Sequence, residues 1–309
     1  MAAYPISLIA FQRMFPDSAA CARYLIGLRW PDGFCCPNCA HAKGWQLQCK
    51  PWTFECAACH RQTSVTAGTV LHGSKLPLQV WFWAAFLTAT HSNGISALQL
   101  QKQLALGSYG SAWLLLAKLR RAMVDPDRNP LAGLAEIDET AIPLRTKDEP
   151  VAGGQGRSGQ GKMAVIGAVE IVPGGHMGRI RLAPIDDYSA DSLKPFIAAN
   201  LAAGATVRTD GWSGYASTPG VTHEPHVIGT MAAHIVLPAI HRVFANLKAW
   251  GIGVYHGLRR KHLAAYLDEF TFRFNRRARR HAGFFSLLGI TARIKPATYK
   301  MLIAPEPSG

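Results

Sequence analysis

The sequence is short of acid. Its 309 residues hold 19 Asp+Glu against 33 Lys+Arg, a formal charge of +14. A balance this positive favours a polyanion as partner, most often nucleic acid. Long apolar runs are also missing. The most apolar stretch, Val80 to Ala89 (VWFWAAFLTA), is far shorter than the roughly 20 residues of a membrane span. It reads as a buried helix, and no membrane partner is expected. The N-terminal MAAYPISLIAFQRMF has no charged region ahead of its short apolar run, so it is a poor secretory leader. No internal repeat marks a solenoid. Seven cysteines is an odd count and argues for a reducing compartment over a disulfide framework. Together these absences place the protein in the cytoplasm. Disorder is excluded too, since 49% of the residues are hydrophobic, enough for about two domains at this length.

Four of the cysteines form two Cys-x-x-Cys hooks, Cys36/Cys39 and Cys56/Cys59, with sixteen residues between the inner pair. Two short hooks of thiolates suit a tetrahedral Zn²⁺, and a ribbon closed by zinc needs little core of its own. Cys21, Cys35 and Cys49 are left over. The segment between the hooks, GWQLQCKPWTFEC, partly alternates aromatic and polar residues as a short hairpin does.

Residues 1–30 read as a helical lead-in, with Asp17 or Ser18 as a helix cap. Residues 76–92 read as a further helix. Ser96–Leu104 and Ser111–Val124 are two helical runs joined by ALGSYG, a helix-turn-helix-like arrangement. In the second run Trp113, Leu116 and Leu119 are set to face inward, and Lys118, Arg120 and Arg121 to meet phosphates.

The breaker cluster DPDRNP (125–130) marks a domain boundary. Strands are expected at 134–143 (LAEIDETAIP), 163–172 (MAVIGAVEIV), 178–185 (GRIRLAPI), 205–210 (ATVRTD) and 226–229. Helices are expected at 191–202, 238–250 and 261–277, and a Gly-rich loop over 147–162. This order gives an α/β layering around one mixed sheet.

Two acids fall in strands. Asp138 sits in AEIDET and Asp210 closes VRTDGW. If the strands are neighbours, the carboxylates converge on a divalent cation, which takes one or two carboxylates with water and phosphate oxygens. The other reading makes each a turn or cap residue, as Asp before Gly commonly is. His241 and Lys248, seven apart on a helix, share one face. The arginines of the closing segment, Arg273, Arg276, Arg277, Arg279 and Arg280, form either a solvated face or a backbone-binding one.

Cys36-Pro-Asn-Cys39 followed by Cys56-Ala-Ala-Cys59-His-Arg-Gln-Thr-Ser resembles the zinc-ribbon entry of bacterial insertion-sequence transposases of family fifteen-ninety-five. The blocks AEIDET (135–140), TDGWSGY (209–215), HRVFANLK (241–248) with GVYHG (253–257), and KHL…LDEF…FNRR (261–277) resemble that family's successive catalytic segments. The resemblance covers roughly residues 15–280, and the linked order is more specific than any single block. It implies an RNase H-like domain and a DDE-type mechanism, with Asp138 and Asp210 as metal-binding acids. It also implies structural Zn²⁺, catalytic Mg²⁺ or Mn²⁺, double-stranded DNA (terminal inverted repeats and target) as partner, and a homo-oligomer that pairs two ends.

The third catalytic position, Glu or Asn in most relatives, falls here on His241. Imidazole is a poorer partner for hard magnesium than a carboxylate is. His241 is expected to be a metal ligand, a water-positioning group or a proton carrier; the other reading makes it a surface histidine at a helix start. Glu170 and Glu224 are fallback acids, and Glu139 is sent to the opposite face by strand alternation.

The expected layout is a helical lead-in and zinc ribbon over 1–70, a helix-turn-helix-like DNA-binding region over 71–128, the catalytic domain over 129–285 and a tail over 286–309. The expected function is 3′-end cleavage and strand transfer. The alternative is a zinc-ribbon DNA-binding regulator whose catalytic domain is inactive.

Overall fold

A computed structural model describes residues 4–144, 160–226 and 233–303 of the chain. These fall into two compact units, one made of residues up to 125 with 278–303, the other of 126–277.

In the first unit, helix α1 (Leu8–Met14) and helix α2 (Ser18–Arg29) are each capped by the residue before them. Ser7 accepts from the Ala10 N–H at 3.1 Å, and Asp17 from the Ala20 N–H at 2.7 Å. These caps satisfy donors that a helix start leaves without partners. Strands β1 (Gly44–Gln46), β2 (Thr53–Cys56) and β3 (Gln62–Ser64) form an antiparallel ribbon in the order β1-β2-β3. The Arg29 guanidinium ties α2 to the ribbon's end, donating to the carbonyls of Ser64, Val65 and Ala67 at 2.9, 2.8 and 2.6 Å. The apolar stretch becomes helix α3 (Leu78–Thr90), with Trp81, Phe82 and Phe86 buried. Helix α4 (Ala97–Gln103) and helix α5 (Tyr109–Arg121) follow. Helix α5 starts two residues before the expected Ser111, because Ser108 caps it through the Ser111 N–H at 3.1 Å.

The second unit is built on strands β4 (Leu134–Pro143), β5 (Lys162–Val172), β6 (His176–Ile185), β7 (Thr206–Thr209) and β8 (Thr222–Pro225), ordered β6-β5-β4-β7-β8. The β4–β5–β6 meander is antiparallel, whereas β7 and β8 run parallel to β4. A parallel partner needs a crossover, and helix α6 (Ala190–Asn200) supplies it between β6 and β7. Helix α7 (Ala233–Val236), helix α8 (Pro238–Tyr255) and helix α9 (Leu263–Asn275) complete the unit. Val165, Val169, Ile180 and Leu182 pack with Ile240, Phe244 and Leu267 on one face. Ile137, Ile166, Ala168 and Val207 pack with Leu193, Ile197 and Tyr215 on the other. Cover on both faces explains why β5 is nearly continuous in apolar residues instead of alternating. This is the mixed sheet expected of an RNase H-like domain.

The strand expected at 226–229 lies earlier, at Thr222–Pro225, where it pairs with β7; residues 227–229 are outside the described residues, as is most of the Gly-rich loop. Beyond Arg277 the chain returns to the first unit. Helix α10 (Arg280–Thr291) buries Phe284, Leu287, Leu288 and Ile290, and the short helix α11 (Tyr299–Ile303) follows it. The boundary expected at 285/286 therefore falls inside α10. Phe284 meets Phe11, Phe15, Phe82 and Phe86 with ring centroids 5.7 to 6.0 Å apart. Among the described residues no helix is long and apolar enough to cross a membrane.

Candidate active site and metal centres

The two cysteine hooks fold alike. The Ala40 N–H donates to the Cys36 carbonyl at 2.9 Å, and the His60 N–H to the Cys56 carbonyl at 3.1 Å. The Cys36 and Cys56 N–H groups donate in turn to the carbonyls of His41 and Arg61 at 3.0 and 3.1 Å. Ala40 and His60 take the left-handed conformation at φ 58° and 55°, which reverses the chain just past each second cysteine. The sulfurs are thereby brought together, with Cys36–Cys59 and Cys39–Cys56 at 3.6 Å and Cys39–Cys59 at 3.4 Å. A tetrahedron with Zn–S bonds of about 2.3 Å has edges of about 3.8 Å, so the donor set fits Zn²⁺. Backbone N–H groups meet these sulfurs, that of Arg61 at Cys59 and that of His41 at Cys39, and each favours the thiolate that zinc binds. Cys21 is instead buried in α2, and burial pushes its thiol up to about 12. Cys35 and Cys49 are exposed and outside the cluster.

The second constellation lies where β4 meets α8. Strand alternation turns Ala135 and Ile137 toward the α6 face and Glu136 and Asp138 toward α8. Both acids are buried, at 6% and 7% exposure. One Glu136 oxygen, Oε2, accepts the N–H groups of Ala239 and Ile240, both at 2.9 Å. One turn into α8, His241 Nε2 lies 3.2 Å from Asp138 Oδ2. The other Asp138 oxygen accepts the Glu139 N–H at 2.8 Å. Lys248, two turns further on, is half-buried; burial lowers its pKa, and the Asp138 charge acts against that shift.

Gly167 is the register partner of Asp138 on β5. A Cβ there would stand 2.7 Å from the Phe244 ring and 3.0 Å from Ile240 Cδ1. Its bare Cα is what lets α8 approach the sheet beside Asp138.

Asp210 follows the last residue of β7. The β4–β7 ladder ends on the Glu136–Arg208 pair, two residues short of Asp138 on one strand and of Asp210 beyond the other. One Asp210 oxygen accepts the Trp212 N–H at 2.9 Å, so the turn reading of Asp–Gly holds alongside any metal role. The Tyr215 phenol is buried on the α6 face. Burial first, then the charge and hydrogen bond of Glu139, then the charges of Asp138 and Asp210 push its pKa well up.

Among the described residues, the four cysteines are the one group of three or more metal-binding side chains whose donor atoms all lie within 4.8 Å of one another. The donor atoms of Asp138, Asp210 and His241 do not close to that spacing. Two ions about 3.5–4 Å apart call for a more open donor set than one zinc does. Two carboxylates, one inside β4 and one just past the end of β7, with an imidazole from α8 have the donor chemistry for such ions.

Other expected residues are engaged elsewhere. Glu170 accepts from Arg179 at 2.5 and 2.9 Å and from the Ala132 N–H at 3.0 Å. Glu224 pairs with Arg208 at 3.1 Å. Arg120, expected to meet phosphate, is only 4% exposed, because the face of α5 that carries Leu116 and Leu119 wraps round to include it. Lys118 is half-buried with its ammonium 6.0 Å from the Trp81 ring centre, and Arg121 is exposed. Arg276 and Arg277 stack on Phe272 and Phe274 at 3.9 and 4.2 Å. Arg277 also donates to the carbonyls of Met177 and Gly178 on β6, so this arginine clips an edge strand.

Sequence reasoning passed over Glu136, Gly167 and Tyr215. A glycine inside an apolar strand pattern was the one available signal; the other two depend on which helix covers which face.

Comparison with protein families matches residues 130–275 to an ISXO2-like transposase domain and residues 16–62 to a transposase zinc-ribbon domain. A search of curated proteins finds no match. The two matched spans follow each other in the order of the two centres just described and together take in more than half of the chain. The chain belongs to the IS1595 family of transposases.

Proposed function

We propose that this transposase binds the terminal inverted repeats of its element, cleaves their 3′ ends and joins them to target DNA. In the first step a water oxygen bonds to phosphorus and the bond to the 3′ oxygen breaks, leaving a 3′-hydroxyl on the element. In the second step that hydroxyl bonds to a target phosphorus and displaces a target 3′ oxygen. No covalent enzyme intermediate is needed.

Asp138, Asp210 and His241 are assigned to hold Mg²⁺ or Mn²⁺. Such ions, when bound, activate the attacking oxygen and offset charge on the leaving one. Lys248 is assigned to a DNA phosphate. Its half-buried ammonium loses hydration on folding, and a phosphate beside Asp138 would compensate for that loss. The ribbon and the α4–α5 pair are assigned to end recognition, with Lys102 and Arg121, both exposed, as phosphate contacts in place of Arg120. Pairing of two ends requires an oligomer on DNA, and a chain that keeps thiolate ligands works in the reducing cytoplasm.

The observation that supports this reading most is the 3.2 Å contact between His241 Nε2 and Asp138 Oδ2. It joins the residue in the unusual third position to the first acid. The test is nicking of a duplex that contains an element end, with Mg²⁺ or Mn²⁺. Ion-dependent cleavage supports the reading. End binding without cleavage in either ion supports the alternative of an inactive regulator.

A further inference from the structure

Helix α8 carries both His241 and Lys248, yet its own start is poorly provided for. Leu237 occupies the cap position with no side-chain bond to the helix, and Pro238 opens the first turn. The first free N–H groups of a helix need an acceptor. They find it on a strand far away in sequence, because Glu136 Oε2 accepts both Ala239 N–H and Ile240 N–H at 2.9 Å. A carboxylate at this end also meets the positive pole of the helix.

We infer that Glu136 is a positioning residue for His241, a cap supplied by the strand itself that fixes where the third catalytic side chain stands relative to Asp138. The residues form a closed loop. Glu136 and Asp138 leave the same face of β4 two residues apart. Glu136 fixes the N–H groups of residues 239 and 240, and His241 follows directly and lies 3.2 Å from Asp138. One helix residue spans about 1.5 Å of rise. A slip of α8 by a single residue would therefore break the His241 contact and the cap together. A buried acid that holds two backbone N–H groups does what an apolar residue cannot: it specifies the register of the helix.

The inference rests on the proposed role of the Asp138–His241 pair, and the experiment separates the two. Cleavage and end binding are measured for Glu136→Gln, Glu136→Ala, His241→Ala and the double variant Glu136→Ala/His241→Ala. Asp138→Asn serves as the control for the proposed function. Glutamine keeps an oxygen acceptor of the same length, so Glu136→Gln is expected within a few-fold of wild type. Glu136→Ala is expected to lose about 10- to 100-fold in cleavage, the range of outer-shell changes at metal sites, with end binding unchanged. In the double variant Glu136→Ala should add little to His241→Ala, since both act through one imidazole.

A Glu136→Gln loss as deep as that of Asp138→Asn would overturn the inference and make Glu136 a ligand. Losses that multiply in the double variant would overturn it as well. Asp138→Asn cleaving like wild type would instead refute the proposed catalytic role. Glu136→Gln decides by itself if the alanine variant does not fold.

Discussion

Gly167 and Asp138 stand opposite each other across the β4–β5 ladder, and the side chain missing from one makes room for the helix that serves the other. The Cβ of an alanine at 167 would lie 2.7 Å from Phe244 Cε1 and 2.8 Å from Leu182 Cδ2. Both are in the packed core, where side chains have little room to give. Gly167→Ala should cost about 1–3 kcal/mol of stability, the usual range for overpacking, and should lower cleavage by lifting α8 from Asp138. Denaturant unfolding and an end-cleavage assay on the same preparation check this. Unchanged stability with unchanged cleavage would contradict the close-approach role.

Zinc removal should act on one part of the protein. Metal analysis is expected to give one zinc per chain, bound by Cys36, Cys39, Cys56 and Cys59. Chelation or Cys56→Ser should unfold the ribbon and abolish end binding, because such sites supply their own folding energy. Loss of zinc on acidification should follow thiolate protonation. The aromatic trio beneath the ribbon provides the readout, since Trp30 sits 5.1 Å from Phe34 and 5.2 Å from Phe54. A Trp30→Phe control identifies its share of the fluorescence change.

Asn275 closes the outer edge of the sheet. Its side chain accepts the Ile180 N–H at 2.7 Å and donates to the Ile180 carbonyl at 3.2 Å, as a neighbouring strand would. Asn275→Ala should cost about 1–3 kcal/mol for the backbone groups left without these bonds. It should also raise hydrogen exchange at Ile180 above that of the inner strands. Exchange at Ile180 as slow as in wild type would argue against the edge-sealing role.

Lys248 gives a pH signature. Its pKa is lowered in the folded protein, so between that value and the ordinary 10.5 the unfolded chain binds more protons than the native one. Stability therefore rises with pH through this alkaline window. Lys248→Met should remove that slope, leave neutral-pH stability equal or higher, and reduce cleavage. Urea midpoints at several alkaline pH values, beside cleavage rates, test the sign. A Met variant that keeps both the slope and the activity would refute the assignment.

Much of the catalytic unit was legible because strand β4 obeys alternation and the PGG turn fixes the β5–β6 hairpin. Asp138, Asp210 and His241 were singled out by the family resemblance, and helical spacing added only that Lys248 shares a face with His241. The zinc hooks were legible from spacing alone. What was hidden depends on partners distant in sequence. The segment after 277 was divided between the catalytic domain and a tail because no local pattern tells that Phe284 packs against Phe11, Phe15, Phe82 and Phe86. Arg120 looked like a phosphate contact because helical periodicity does not say how wide the buried face is. The cap that Glu136 provides reaches from a strand to a helix about 100 residues later, a relation that local pattern does not carry.

The central claim is that Asp138, Asp210 and His241 act as one ion-holding set on a DNA phosphodiester. The most direct measurement compares Asp138→Ala, Asp210→Ala and His241→Ala side by side on a duplex with an element end, scoring binding and Mn²⁺-dependent cleavage. The account predicts near wild-type end binding by all three, with cleavage lost by more than about 100-fold in each, beyond what outer-shell changes cost. Wild-type cleavage by any one of them, with its binding intact, would contradict it.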